Sequence, residues 1–144
     1  MKSLFRPLAL VLALTSTSLL FAQADEEKTP LGEQMSAINS AFRTLRSDAA
    51  DATKSEANAT LVHGMIEAAT KSLEFKPEYT ADQPADQQAE FVANYQAQMK
   101  DFIALLERLE AAFKAGNTEL AGEIMGELRP AQREAHGTYR RPRE

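Results

Sequence analysis

The chain has 144 residues with a formal net charge of −5, six Gly, six Pro and no Cys or Trp, a length that suits one domain with one core. The lack of cysteine excludes thiol catalysis, iron–sulfur clusters, cysteine-based zinc sites and haem attached through thioether bonds. The acidic balance argues against nucleic acid as a partner, because a phosphate backbone binds cationic surfaces.

Residues 1–24 have the pattern of a secretory signal peptide. Two cations precede an apolar run over residues 8–21, and Ala-Gln-Ala at 22–24 matches a small-x-small cleavage site. The run is shorter than the roughly 20 apolar residues of a spanning helix, so we expect export without membrane insertion of the mature chain. Mature residues 25–144 would carry 14 Lys and Arg against 21 Asp and Glu, a net charge of −7.

Residues 25–144 contain 21 Ala but only six Val and Ile, a composition that favours helices over strands. We therefore predict an all-α fold. The first helix is predicted to begin at Thr29 and Pro30, a capping hydroxyl followed by proline at the first helical position. Its apolar residues recur at steps of four and three, which places them on one face: Leu31, Met35, Ile38, Phe42, Leu45 and Ala49.

The second helix is predicted to follow a turn near residues 51–55, with Ser55 or Asn58 as its N-cap. Neither Gly nor Pro marks this turn, so one long helix through it, giving a three-helix structure, is the alternative. The helix should stop before Pro77, and residues 77–86 form the longest loop. Its predicted inward-facing residues are Leu61, Val62, Met65, Ala69, Ser72 and Phe75.

The third helix has the clearest pattern, an apolar residue at alternating steps of three and four: Val92, Tyr95, Met99, Phe102, Leu106, Leu109 and Phe113. Gly116 is predicted to end it, and Asn117 to cap a fourth helix from about Thr118 to Tyr139. Pro130 should kink this last helix, because it cannot donate to the preceding turn. Four helices with short connections pack as an antiparallel up-down-up-down bundle.

Two candidate metal ligands, Met35 and His136, fall at the same end of such a bundle. Each lies about 6 to 9 Å from its own helix terminus, at 1.5 Å per residue. A thioether and an imidazole are an axial pair known for haem iron, and without cysteine the haem must be held non-covalently. A methionine in an apolar stripe is more often core packing, and a histidine near a chain end is more often solvated. From the residues alone, both interpretations stay open.

The two ends of the chain resemble a known family. Residues 31–35 (Leu-Gly-Glu-Gln-Met) open the first helix, and residues 133–140 (Arg-Glu-Ala-His-Gly-Thr-Tyr-Arg) close the fourth. Together with the signal peptide, these segments resemble the periplasmic cytochrome b-562 family over nearly all of residues 25–144. The resemblance implies the same four-helix bundle and a location in the periplasm.

The resemblance also implies the site residues. It places the axial ligands of one non-covalent b-type haem on Met35 and His136, and it places Tyr95 and Met99 of the third helix against the haem. Cytochromes c′ share the bundle but carry two cysteines before their histidine. Here Gln132 and Ala135 stand in those places, which agrees with a haem that is not covalently attached.

By this resemblance the chain is an electron carrier rather than an enzyme, since two filled axial positions leave no open site on the iron. Its partner would be an unidentified periplasmic redox protein. The competing hypothesis is a haem-free periplasmic bundle that acts as a binding or chaperone-like module. In that case His63, Met65 and Met125 could form a soft copper site in the other half of the bundle, although core packing also explains both methionines.

Overall fold

A computed structural model describes residues 29–142. The predicted signal peptide, residues 1–24, lies outside these residues. The described part consists of α-helices and two short 3₁₀ helices, named η1 and η2. In chain order these are α1 (Pro30–Asp48), η1 (Ala52–Lys54), α2 (Ser55–Ser72), η2 (Glu78–Asp82), α3 (Gln88–Lys114) and α4 (Thr118–Tyr139).

Each α-helix packs along the next one in the chain: α1 on α2, α2 on α3, and α3 on α4. Short connections make consecutive helices antiparallel, which confirms the predicted all-α, up-down-up-down four-helix bundle. The helix α4 continues through Pro130. None of the helices within residues 29–142 combines the length and the apolar composition that crossing a bilayer requires.

Side-chain caps start α1 and α4 where the sequence predicts them, whereas α2 and α3 begin without a side-chain cap. The hydroxyl of Thr29 accepts a hydrogen bond from the Gly32 N–H at 3.2 Å, and Pro30 occupies the first turn of α1. At the end of α3, Gly116 adopts a φ of 67°, a left-handed conformation that favours glycine. The side chain of Asn117 then accepts from the Leu120 N–H at 3.0 Å and starts α4.

The turn between α1 and α2 differs from its prediction in one respect. The break exists, so the three-helix alternative is wrong, but neither Ser55 nor Asn58 is the cap. Asp51 accepts from the Thr53 N–H at 2.9 Å, because η1 adds one turn ahead of α2 and moves the capping position back along the chain. The amide of Asn58 instead donates to the main-chain oxygen of Asp48 at 3.1 Å, a carbonyl at the end of α1 that also accepts from the Asp51 N–H at 3.0 Å.

Burial of apolar side chains is uneven along the bundle. We call the end where α1 begins and α4 finishes the near end, and the opposite end the far end. From the middle to the far end the core is closed by Phe42, Leu45, Val62, Met65, Leu106, Leu109, Phe113, Ile124 and Leu128, all almost completely buried. Towards the near end Leu31, Met35, Phe91, Val92 and Met99 are only half-buried, while Tyr95 and Tyr139 are buried. The core is therefore closed at one end and open at the other.

Candidate functional site

The start of α1 and the last turns of α4 lie together at the near end of the bundle. Met35 lies in the second turn of α1, half-buried and packed against the core. His136 lies one turn before the end of α4 and is exposed. Antiparallel packing therefore places both candidate ligands at the near end, as the topology predicts.

Among neighbouring helices of the bundle, α1 and α4 make the least contact with each other. Among the described elements, α1–α2, α2–α3 and α3–α4 pack extensively, whereas α1 and α4 make at most marginal contact. Behind them, Met99 and Phe102 of α3 are half-buried against the core. The near end therefore presents a partly exposed apolar surface flanked by two helices that hardly touch.

His136 is less enclosed than the sequence predicts. The resemblance implies an iron ligand that faces the bundle interior, but the imidazole is exposed, and α1 makes at most marginal contact with α4. Partial burial of the ring lowers the pKa of His136, and the charge of Arg140 lowers it further. Among residues 29–142 no side chain hydrogen-bonds to this imidazole. The lowered pKa favours the uncharged ring, which is the form that binds a metal.

The two further candidates, Tyr95 and Met99, lie one turn apart on α3. Tyr95 is buried, and its hydroxyl donates to the main-chain oxygen of Ser72 at 3.2 Å. Burial raises the pKa of Tyr95 to about 12, so this residue stays protonated. Met99 is half-buried and packs against the core. Tyr95 thus has a partner within the bundle, whereas Met99 belongs to the partly exposed apolar surface.

Sequence reasoning missed an aromatic cluster at the near end. Tyr139 lies with its ring centroid 5.1 Å from that of Phe91 and 5.5 Å from that of Tyr95. Phe91 in turn contacts Tyr79, with 6.1 Å between the centroids. The one available signal was a single aromatic residue, Tyr79, in an otherwise polar loop, because such a ring needs an apolar contact.

The donor set of the near end fits a haem better than a bare ion. Within residues 29–142 no group of three or more His, Asp or Glu side chains is arranged to hold a metal. One thioether and one imidazole are too few ligands for a free ion, but they would suffice for an iron that a porphyrin already binds. The half-buried apolar side chains behind Met35 suit the face of a macrocycle. The residues present therefore fit a haem.

The alternative copper site at the far end is wrong. The Nδ1 atom of His63 lies 3.1 Å from a carboxylate oxygen of Glu110 at the surface, beside a shallow hollow lined by both residues. Met65 and Met125 are buried in the core. His63 and Met65 are two residues apart, roughly 200° around a helix, so they face opposite ways and cannot bind one ion.

Comparison with known proteins agrees with this assignment. The profile of one family, cytochrome b562, matches residues 30–140, a range that contains all the helices described above. No curated protein sequence and no solved structure matches the chain. The family is periplasmic and consists of haem-binding electron carriers that are generally not enzymes. Because the match spans about three quarters of the sequence, the chain belongs to the cytochrome b562 family.

Proposed function

We propose that this chain is a periplasmic electron carrier that binds one b-type haem non-covalently, with Met35 and His136 as its axial ligands. The observation that carries this proposal is the placement of both candidate ligands at the near end. A thioether and an imidazole lie there on α1 and α4, the two helices that make at most marginal contact. Family membership supports haem as the group that these residues bind.

Each residue has a distinct role in this proposal. When bound, haem supplies a one-electron couple between ferric and ferrous iron. The soft, neutral sulfur of Met35 favours the ferrous state and raises the reduction potential relative to a second imidazole. His136 offers a neutral nitrogen because its pKa is lowered. Tyr95 and Met99 supply apolar surface from α3, which keeps water from the ligands.

Permanent ligation on both faces suits electron transfer without bond rearrangement. With Met35 and His136 both holding the iron, no coordination position would be left open for oxygen or a peroxide. Transfer is then outer-sphere, through contact with a second redox protein. With residues 1–24 removed as a signal peptide, the mature chain has a net charge of −7, so a periplasmic partner with a basic face is favoured.

Titration of purified residues 25–144 with haemin tests the proposal. We expect one haem per chain and a low-spin spectrum. Haem at 100 times its dissociation constant should raise the free energy of unfolding by about 2.7 kcal/mol. His136→Ala should accelerate haem loss more than Met35→Ala, which should yield high-spin haem in a folded protein. His63→Ala is the matched control, because His63 lies at the far end. The absence of a Soret shift would refute the proposal.

A further inference from the structure

The end of α4 has little support from the bundle core. Beyond Leu128 the only buried residue of α4 is Tyr139. Pro130 cannot donate a main-chain hydrogen bond inside the helix, and Gly137 in the last turn lowers its helical propensity. Because α1 makes at most marginal contact with α4, some other element must hold this turn in place.

The aromatic cluster provides one attachment. The ring of Tyr139 meets those of Phe91 and Tyr95, both on α3, in edge-on geometry. Phe91 also meets Tyr79 of η2 at an interplanar angle of 80°. The last turn of α4 is thereby linked through one continuous row of rings to the connection between α2 and α3.

An ion pair provides a second attachment between the same two segments. The Nε atom of Arg141, two residues beyond α4, donates to a carboxylate oxygen of Asp82 at 2.6 Å. Both side chains are about half-exposed, so this pair contributes less than the rings. The position of this ion pair matters more than its strength, because it joins the second residue beyond α4 to the last residue of η2.

The α2–α3 connection is itself held in shape. Two of its residues, Pro77 and Thr80, are buried. The amide of Gln83 donates to the main-chain oxygen of Tyr79 at 3.2 Å, and Gln88 donates to that of Gln83 at 3.1 Å. A segment with buried residues and internal hydrogen bonds can position a neighbouring helix end, which a loose loop cannot do.

We propose that the α2–α3 connection, residues 76–87, is a clamp on the last turn of α4, and that Tyr79, Asp82 and Tyr139 are positioning residues for His136. This inference rests on the proposed function. His136 precedes Tyr139 by three residues, so the two side chains lie close together on one face of the helix. Fixing the ring of Tyr139 therefore fixes the rotation of the turn, and with it the direction in which the imidazole points.

The first test removes one ring of the clamp from outside the haem site. In the haem-loaded protein, Tyr79→Ala should raise the rate of haem transfer to excess apomyoglobin by about three- to tenfold, the effect of one aromatic contact. It should also lower the fraction of low-spin haem. Tyr79→Phe keeps the ring and should behave as wild type. Equal behaviour of Tyr79→Ala and wild type, in transfer rate and in spin state, would overturn the proposal.

The second test compares an ion pair just beyond the end of α4 with an ion pair on α4 itself. Asp82→Lys opposes Arg141 beside His136, whereas Glu127→Lys opposes Arg108, which it contacts at 3.1 Å towards the far end. Both variants change the net charge equally and alter pairs of similar exposure. We expect Asp82→Lys to raise the haem transfer rate about threefold and Glu127→Lys to leave it unchanged. Equal effects of the two variants would contradict the clamp.

Hydrogen exchange in the haem-free protein separates this proposal from the proposed function. In Tyr79→Ala the amides of residues 136–140 should exchange faster than in wild type, and those of residues 121–128 at the same rate. Faster exchange of residues 136–140 supports the clamp even if haem binding fails. If the wild type binds low-spin haem through Met35 and His136 but exchange is unchanged in Tyr79→Ala, the clamp is rejected and the proposed function stands.

Discussion

The hydroxyl of Tyr95 donates a hydrogen bond to the main-chain oxygen of Ser72, 3.2 Å away, and so joins α3 to the last residue of α2. The same oxygen accepts from the Phe75 N–H at 3.2 Å, and the hydroxyl of Ser72 is itself bonded to the Ala68 oxygen at 2.8 Å. The Ser72 carbonyl at the end of α2 is thus satisfied by a phenol from the neighbouring helix together with a main-chain N–H from the following turn.

This bond makes stability depend on pH in alkaline solution. The pKa of Tyr95 is raised to about 12 by burial, so the folded state holds its proton more tightly than the unfolded chain does. The free energy of unfolding should therefore fall between about pH 10 and pH 12 as the unfolded phenol ionises first. Tyr95→Phe should flatten this fall and, near neutral pH, cost about 1 kcal/mol for the lost hydrogen bond.

Urea unfolding at pH 9 and pH 11 measures both effects. The pKa of Tyr139 is also raised, so the slope should shrink in Tyr95→Phe without vanishing. Lysine ionisation contributes equally to both proteins and cancels in the comparison. An identical pH slope in wild type and Tyr95→Phe would show that Tyr95 ionises as freely in the folded state as in the unfolded chain.

Two methionine-to-leucine variants distinguish a ligand from a packing residue. Met35→Leu and Met65→Leu each keep the side-chain volume, so each should lower the free energy of unfolding of the haem-free protein by less than about 1.5 kcal/mol. Only Met35→Leu removes the proposed sulfur ligand, and we expect high-spin haem in that variant. Met65 is 1% exposed and lies in the far core, so Met65→Leu should leave the haem spectrum unchanged. Absorption spectra of the loaded variants are the measurement.

The bond from Asn58 to the end of α1 predicts an order of stability. Asn58 is 1% exposed, and its amide donates to the Asp48 oxygen at 3.1 Å. Asn58→Ala removes this donor, while the Asp51 N–H continues to donate to the same oxygen at 3.0 Å, so the substitution should cost about 1 kcal/mol. Asn58→Asp replaces the donor with a buried carboxylate that faces the same oxygen, so it should be the less stable of the two at neutral pH. Urea midpoints at an unchanged m-value provide the check.

Glycine-to-alanine substitutions should lower the free energy of unfolding in the turn after α3 and raise it within α4. At Gly122 and Gly126 of α4 an added Cβ meets nothing within 4 Å, so alanine should stabilise the protein by roughly 0.5–1 kcal/mol at each position. At Gly116 the space is equally open, but the φ of 67° should make alanine cost about 1 kcal/mol. Thermal unfolding of the three variants tests the signs, and stabilisation by Gly116→Ala would contradict the assigned conformation.

The sequence predicts the helices closely because their ends carry local chemical signals. Thr29 with Pro30, and Gly116 with Asn117, determine helix ends within a few residues, whatever the rest of the chain does. The turn after α1 lacks such residues, and its cap, Asp51, belongs to a 3₁₀ turn that hydrophobic spacing does not reveal. The hydrophobic pattern therefore does not predict Asp51 as the capping residue.

The site was less predictable than the fold. Topology alone brings Met35 and His136 to one end, but the exposure of His136 follows from the weak contact between α1 and α4, which no periodicity encodes. The cluster around Tyr139 joins residues some 60 positions apart, from Tyr79 to the end of α4. Such contacts depend on how a polar loop folds back, and composition does not specify that path.

The difference between the closed and the open end of the core also bears on how this molecule can change over evolutionary time. Substitutions among the half-buried side chains around Met35 and Met99 remove few contacts, so the fold tolerates them, whereas those around Leu106 and Leu109 are constrained by close packing. One end of the bundle is therefore free to diverge, and a descendant could exchange or lose its prosthetic group while keeping the same scaffold.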